Sequence, residues 1–121
     1  MALVTLVMAS GPGYPEGSEA HRYEMTITLD GHGCPDAHAW RHDPAPWPAR
    51  RYWPGEPDLR GDVQHDADVG WWLRFFRDTA QAPDAPPHDI QLHAGPLRPG
   101  EMLTIREPDG RLYDWRVVGV Q

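Results

Sequence analysis

Asp66-Ala67-Asp68-Val69-Gly70-Trp71-Trp72-Leu73-Arg74-Phe75-Phe76-Arg77-Asp78-Thr79-Ala80 is the segment on which the fold class turns, because it holds a clear helical period. Val69, Trp72, Leu73 and Phe76 recur at the i, i+3, i+4, i+7 spacing of a buried helical stripe. At about 100° per residue, Phe75, Thr79 and Ala80 widen that arc, while Arg74, Arg77 and Asp78 fall on the solvent side. Asp66 or Asp68 is a fitting N-cap, and Pro83, Pro86 and Pro87 end the run by Ala82. The spacing therefore predicts one amphipathic helix near 67–80. Trp71 lies at the edge of its polar face beside Asp78, where a large ring is a candidate contact for a partner.

On either side the period changes to two. In 22–30, Tyr23, Met25, Ile27 and Leu29 alternate with Arg22, Glu24, Thr26, Thr28 and Asp30, the signature of a half-buried strand. Leu3 to Met8 is apolar on both faces, so its second face must be covered by barrel closure or by another chain. The run 11–18 between them is rich in Gly and Pro and reads as a long hairpin loop. Ile90 and Leu92 alternate with Gln91 and His93, and 102–107 and 111–120 form a hairpin across Pro108-Asp109-Gly110. Segment 97–121, with its Leu-Arg-Pro-Gly-Glu turn and Tyr/Trp-bearing last strand, resembles hairpins of many unrelated small β-barrel modules, viral assembly proteins among them. That likeness is too generic to carry a function across, beyond allowing a viral-type structural component.

Residues 31–61 carry Pro44, Pro46, Pro48, Pro54 and Pro57, each of which fixes φ and removes a ladder donor, so no central strand is expected there. The same segment holds Trp40, Trp47, Tyr52 and Trp53, too much aromatic surface to leave in water. It reads as an irregular Pro/Trp-rich wrap packed on the sheet. The fold class predicted is α+β, mostly antiparallel. Five to six strands form a curved sheet or small barrel, and the 67–80 helix packs Trp72, Leu73 and Phe76 against Tyr23, Met25, Ile27 and Leu29.

With 121 residues, 40% of them hydrophobic, the chain suits a single domain, 1–121. Its net charge of −7 disfavours a nucleic-acid backbone or an anionic membrane surface as partner. Residues 61–90 are the acidic centre, with two Arg against six Asp. Cys34 is the one cysteine, which rules out an internal disulfide and fits a reducing, cytoplasmic compartment. No run approaches the ~18 apolar residues of a membrane span.

Two constellations carry chemistry. His32, Cys34 and His38, with His42 four residues on, form the densest group of metal-capable side chains, and a Zn site needs three or four such ligands converging. No second ligand pair at zinc-finger spacing accompanies them, so no cofactor is expected, with Zn as the exception to test. A Cys34–His38 thiolate pair is the related catalytic possibility. The second constellation is Arg50-Arg51-Tyr52-Trp53, a basic and aromatic island. Its arginine stems can cover exposed rings or stack bases, and the acidic balance favours the first. Three His-Asp dipeptides, at 42–43, 65–66 and 88–89, share no flanking pattern and make no acid–base dyad, Asp66 being assigned to the helix N-terminus.

The sequence therefore leans to a non-enzymatic protein-binding or assembly module, with a protein partner or self-association through Trp71, Trp47, Trp53, Arg50 and Arg51. The competing reading is a small metal- or thiol-dependent enzyme built on the His32/Cys34/His38 loop.

Overall fold

The computed structural model describes residues 1–76, 96–121 and the backbone of 87–91. Among the described residues eight strands form one sheet: β1 (Ala2–Ser10), β2 (Ser18–Ile27), β3 (Trp47–Tyr52), β4 (Leu59–Asp66), β5 (Gly70–Phe76), β6 (Pro87–Gln91), β7 (Met102–Arg106) and β8 (Leu112–Val120), with a short helix α1 (Ala37–His42) before β3. Each strand pairs antiparallel with its sequence neighbours, and β8 pairs with β1 to close the barrel. The fold is thus mostly antiparallel β, curved and closed, with one short helix among the described residues. Closure leaves no unpaired sheet edge. No helix among the described residues is long and apolar enough to cross a membrane.

On β1 closure buries the inner face, and the expected cover of the second face is partial and comes from neighbouring side chains. Val4, Leu6 and Met8 point inward, and on the outer face Val7 is buried between its cross-strand neighbours Arg22 and Arg116. Leu3 and Thr5 are half-buried on that same outer side. An eight-stranded barrel is just wide enough for side chains to fill it. Here Trp47, Trp115, Tyr23, Met25, Ile27, Leu73 and Ile105 do so. Room for these rings comes from the small row Ala49–Gly61, which continues to Phe75 on β5.

The helix predicted near 67–80 is corrected: 70–76 is strand β5, and the protein's described helix is α1. Residues 77–80, with the predicted stop at Ala82, lie outside the described residues, as do Leu92 and His93 of the predicted strand around Ile90. The physical reason is that 70–76 satisfies two periods at once. Trp71, Leu73 and Phe75 alternate with Trp72, Arg74 and Phe76, and an aromatic-rich run of seven suits a pleated surface. The supposed capping signal is a hairpin signal, since the Asp66 carboxylate accepts from the Asp68 and Val69 amides, and Gly70 takes φ 95° as the chain returns. Leu73 and Phe75 enter the core, whereas Trp72 and Phe76 are only half-buried, so the predicted core pairing of those two residues fails.

The strand count rises from the predicted five or six to eight because β3 and the start of β4 fall within 31–61, where no central strand was expected. Pro48 is accommodated because the β2–β3 ladder begins only at Met25↔Ala49, beyond the missing N–H. The aromatic part of the expectation holds, for Trp47 is buried and Trp40 packs against the core. Asp36 caps α1 through Ala39 N at 3.0 Å, and Trp40 Nε1 donates to Val63 O at 2.9 Å. Trp71 stacks on Trp47 with centroids 5.9 Å apart, and His65 lies 4.5 Å from Trp71. This Trp40–Trp47–Trp71 group closes one end of the barrel, while the opposite end carries the described connections 11–17, 53–58 and 107–111.

Candidate ligand-binding site at the barrel mouth

At that opposite end the inward-facing alternation runs from apolar to charged. On β3 the sequence is Trp47, Ala49, Arg51; on β7 it is Leu103, Ile105 and then Glu107 just past the strand; on β2 it is Ile27, Met25, Tyr23, His21. Since side chains of period two share a face, each charged group is carried to the mouth by the strand that places the core residues before it. Arg51 is 8% exposed and Glu107 5%.

These groups form one network. Tyr23 Oη donates to Glu107 Oε1 at 2.8 Å and accepts from Arg51 Nε at 3.2 Å. Arg51 Nη1 donates to Glu56 Oε2 at 3.3 Å, and Nη2 lies 3.7 Å from Glu107 Oε2. The guanidinium also stacks on Trp53, 4.2 Å from the ring centroid. Burial, reinforced by the Glu107 charge, holds the Tyr23 phenol well above its usual pKa, so it stays a neutral donor. For Arg51 burial works against the charge, but Tyr23, Glu107 and Glu56 outweigh it and the guanidinium is held more firmly protonated.

Beside the network His21 is enclosed between Tyr14 and Trp53, each 4.5 Å away by ring centroids, with Nδ1 2.7 Å from Ser18 Oγ. Burial first, then the Arg51 charge, lowers its pKa below 6.5. Above the network opens a cleft of about 570 Å³ walled by Tyr14, Trp53, Leu59, Phe75, Phe76 and Tyr113, with Arg51, Glu56 and Glu107 as its inner polar groups and Asp109 and Arg111 at the rim. Few convergent polar groups on an aromatic wall, in a volume between about 300 and 1,000 Å³, is the constitution of a small-molecule site.

The residues singled out from sequence separate here. Strand alternation splits the Arg50-Arg51-Tyr52-Trp53 island: Arg51 and Trp53 belong to the cleft, whereas Arg50 is exposed on the outer wall and bonds Tyr52 Oη at 3.4 Å. Trp47 has no exposed surface and so offers no outer contact, while Trp71, half-buried, packs against the core at the closed end. The cysteine loop is shaped by Asp30, whose carboxylate accepts from the Cys34 amide and the His32 amide and is held below its ordinary pKa by those bonds. His38 and His42 lie tilted against each other on α1 with ring centroids 4.3 Å apart, and His42 Nδ1 lies 2.9 Å from His38 O. Among the described residues no three His, Cys, Asp or Glu side chains converge as a metal would require.

Sequence reasoning missed Tyr14, His21, Tyr23 Oη, Glu56 and Glu107 as site residues. The available signal was a charged residue ending an inward apolar alternation, which Arg51 and Glu107 both show. No protein-family model, curated protein or solved structure matches the chain.

Proposed function

We propose that the chain is a non-enzymatic binding module that takes a small organic ligand in the mouth of its barrel. The observation that carries this reading is the Tyr23–Arg51–Glu107 network at the floor of the aromatic cleft. A buried ion pair is a poor source of stability, since apolar residues of similar volume often serve a core as well or better. Its position under an aromatic cleft gives it a use in orienting a ligand. The titratable groups of the floor are bonded to one another, which supports recognition more than proton transfer.

A protein partner or self-association through Trp47 and Trp71 has less support, because those rings are spent on the closed end. The test is a set of ¹H–¹⁵N spectra recorded with small aromatic and aliphatic fragments. Shifts are expected at Tyr14, Trp53, Phe75 and the 107–113 hairpin, and Trp53→Ala should remove them. Shifts confined to α1 or to the outer wall would overturn the reading.

A further inference from the structure

We infer that the mouth selects a carboxylic acid with a flat apolar body, an arylalkanoic acid in kind, seated with its carboxylate on Arg51 and its ring among Tyr14, Phe75 and Tyr113. This rests on the proposed binding role of the mouth and adds the chemistry of the ligand.

Of the two buried charges at the floor, the guanidinium is the one with hydrogen-bonding capacity left for a ligand. Glu107 Oε1 is engaged by the Tyr23 hydroxyl, and its Oε2 is sealed from solvent. A guanidinium has five N–H donors. In Arg51 one goes to Tyr23 and one to Glu56, while Nη2, at 3.7 Å from Glu107, is paired by charge but too far for a hydrogen bond. Its planar fork matches two carboxylate oxygens, a geometry that an amide or a hydroxyl reproduces only in part.

The protein already seats a carboxylate on one arm of this guanidinium. Glu56, in the turn after β3, reaches Arg51 Nη1 although its side chain is 54% exposed. An ion pair with so exposed a partner is weak, so a ligand carboxylate can take its place at small cost. The body of the ligand follows from the walls. One face of Trp53 is covered by Arg51, and Tyr113 meets Trp53 edge-on at 5.4 Å. Tyr14, Phe75, Phe76 and Tyr113 supply most of the remaining apolar wall, beside Pro12, Leu59 and Pro108, and those rings favour a flat partner. Trp115 and Tyr23 fill the barrel below, so a long alkyl chain has nowhere to descend. The net charge of −7 slows the arrival of an anion without altering its seat.

The test uses three probes of one shape on the full chain: 1-naphthylacetate, 1-naphthylacetamide and 2-(1-naphthyl)ethylamine, titrated while the Trp53 indole and Arg51 side-chain resonances are followed. The acid is expected to bind at least tenfold more tightly than the amide and to move both signals. Glu56→Gln, a change at a half-exposed side chain, should tighten the acid severalfold by removing the competing carboxylate and leave the amide unchanged. Arg51→Gln should abolish the preference, with Glu56→Gln as the decisive variant if Arg51→Gln does not fold. If the amide or amine binds in the mouth as well as the acid, or Glu56→Gln weakens the acid, the inference is wrong while the site stands. If none of the three moves a mouth resonance, both the inference and the binding role of the mouth fall.

Discussion

At Arg51 the protein places a guanidinium where the strand pattern calls for an apolar side chain, and the consequences are measurable. Replacing it alone, as in Arg51→Leu, takes the guanidinium from beside the buried Glu107 carboxylate and Tyr23 hydroxyl, and a cost of about 3–5 kcal/mol is expected in urea unfolding. The double change Arg51→Leu/Glu107→Leu removes both charges and should recover much of that loss. A double variant as unstable as the single one would show that the pair is not energetically coupled. Gly61 is a second decisive residue, for a different reason. A Cβ at this position would run into the Arg74 carbonyl oxygen and Phe75 Cα of the neighbouring strand. Gly61→Ala therefore has to push β4 and β5 apart, and a loss of at least about 1–3 kcal/mol is expected by the same measurement. Neither effect was legible beforehand: Arg51 reads as part of a surface island, and Gly61 sits in a run with no turn signal.

Among the elements, β5 shows why period alone misleads. Trp71 to Phe76 carries apolar residues at both helical and alternating positions, and local sequence offers no way to choose. The choice is made by β4, which pairs along its length with β5 from Arg60↔Phe76 to Asp66↔Gly70. The strand assignment inverts the mutational ranking that a helix implies. Leu73→Ala should cost about 2–5 kcal/mol, and Phe76→Ala less than half as much, by denaturant midpoint. Equal losses would restore the helical stripe, in which both residues are buried. For α1 the deciding residue is Asp36, which caps the helix that brings Trp40 to the barrel end.

For the whole molecule, closure produces two unlike ends, and pH should act through the mouth. The unfolded chain protonates His21 near 6.5, whereas the folded barrel, by burying the ring against Tyr14 and Trp53, holds its pKa lower. Stability contributed by the neutral ring is complete above that value and is lost as pH falls from 6.5 through the lowered folded value, because the unfolded state then binds more protons. Urea midpoints at pH about 7.5 and 5.5 should therefore diverge more for the native chain than for His21→Gln. A variant with the same divergence would mean that another group sets it.

By itself the sequence determined the antiparallel β character, the strands around Leu6, Tyr23, Leu103 and Trp115, the hairpin at Pro108-Asp109-Gly110 and the packing of Trp40 and Trp47 with the core. Those follow from alternation and turn chemistry, which act between residues close in the chain. Tertiary structure alone decided that 70–76 is a strand, that Pro48 could enter one, and that Arg51, Glu107 and Tyr23, separated by up to 84 positions, meet at one mouth. Pairing partners and barrel closure are long-range choices, made by the burial that eight strands achieve together and that no single segment can encode.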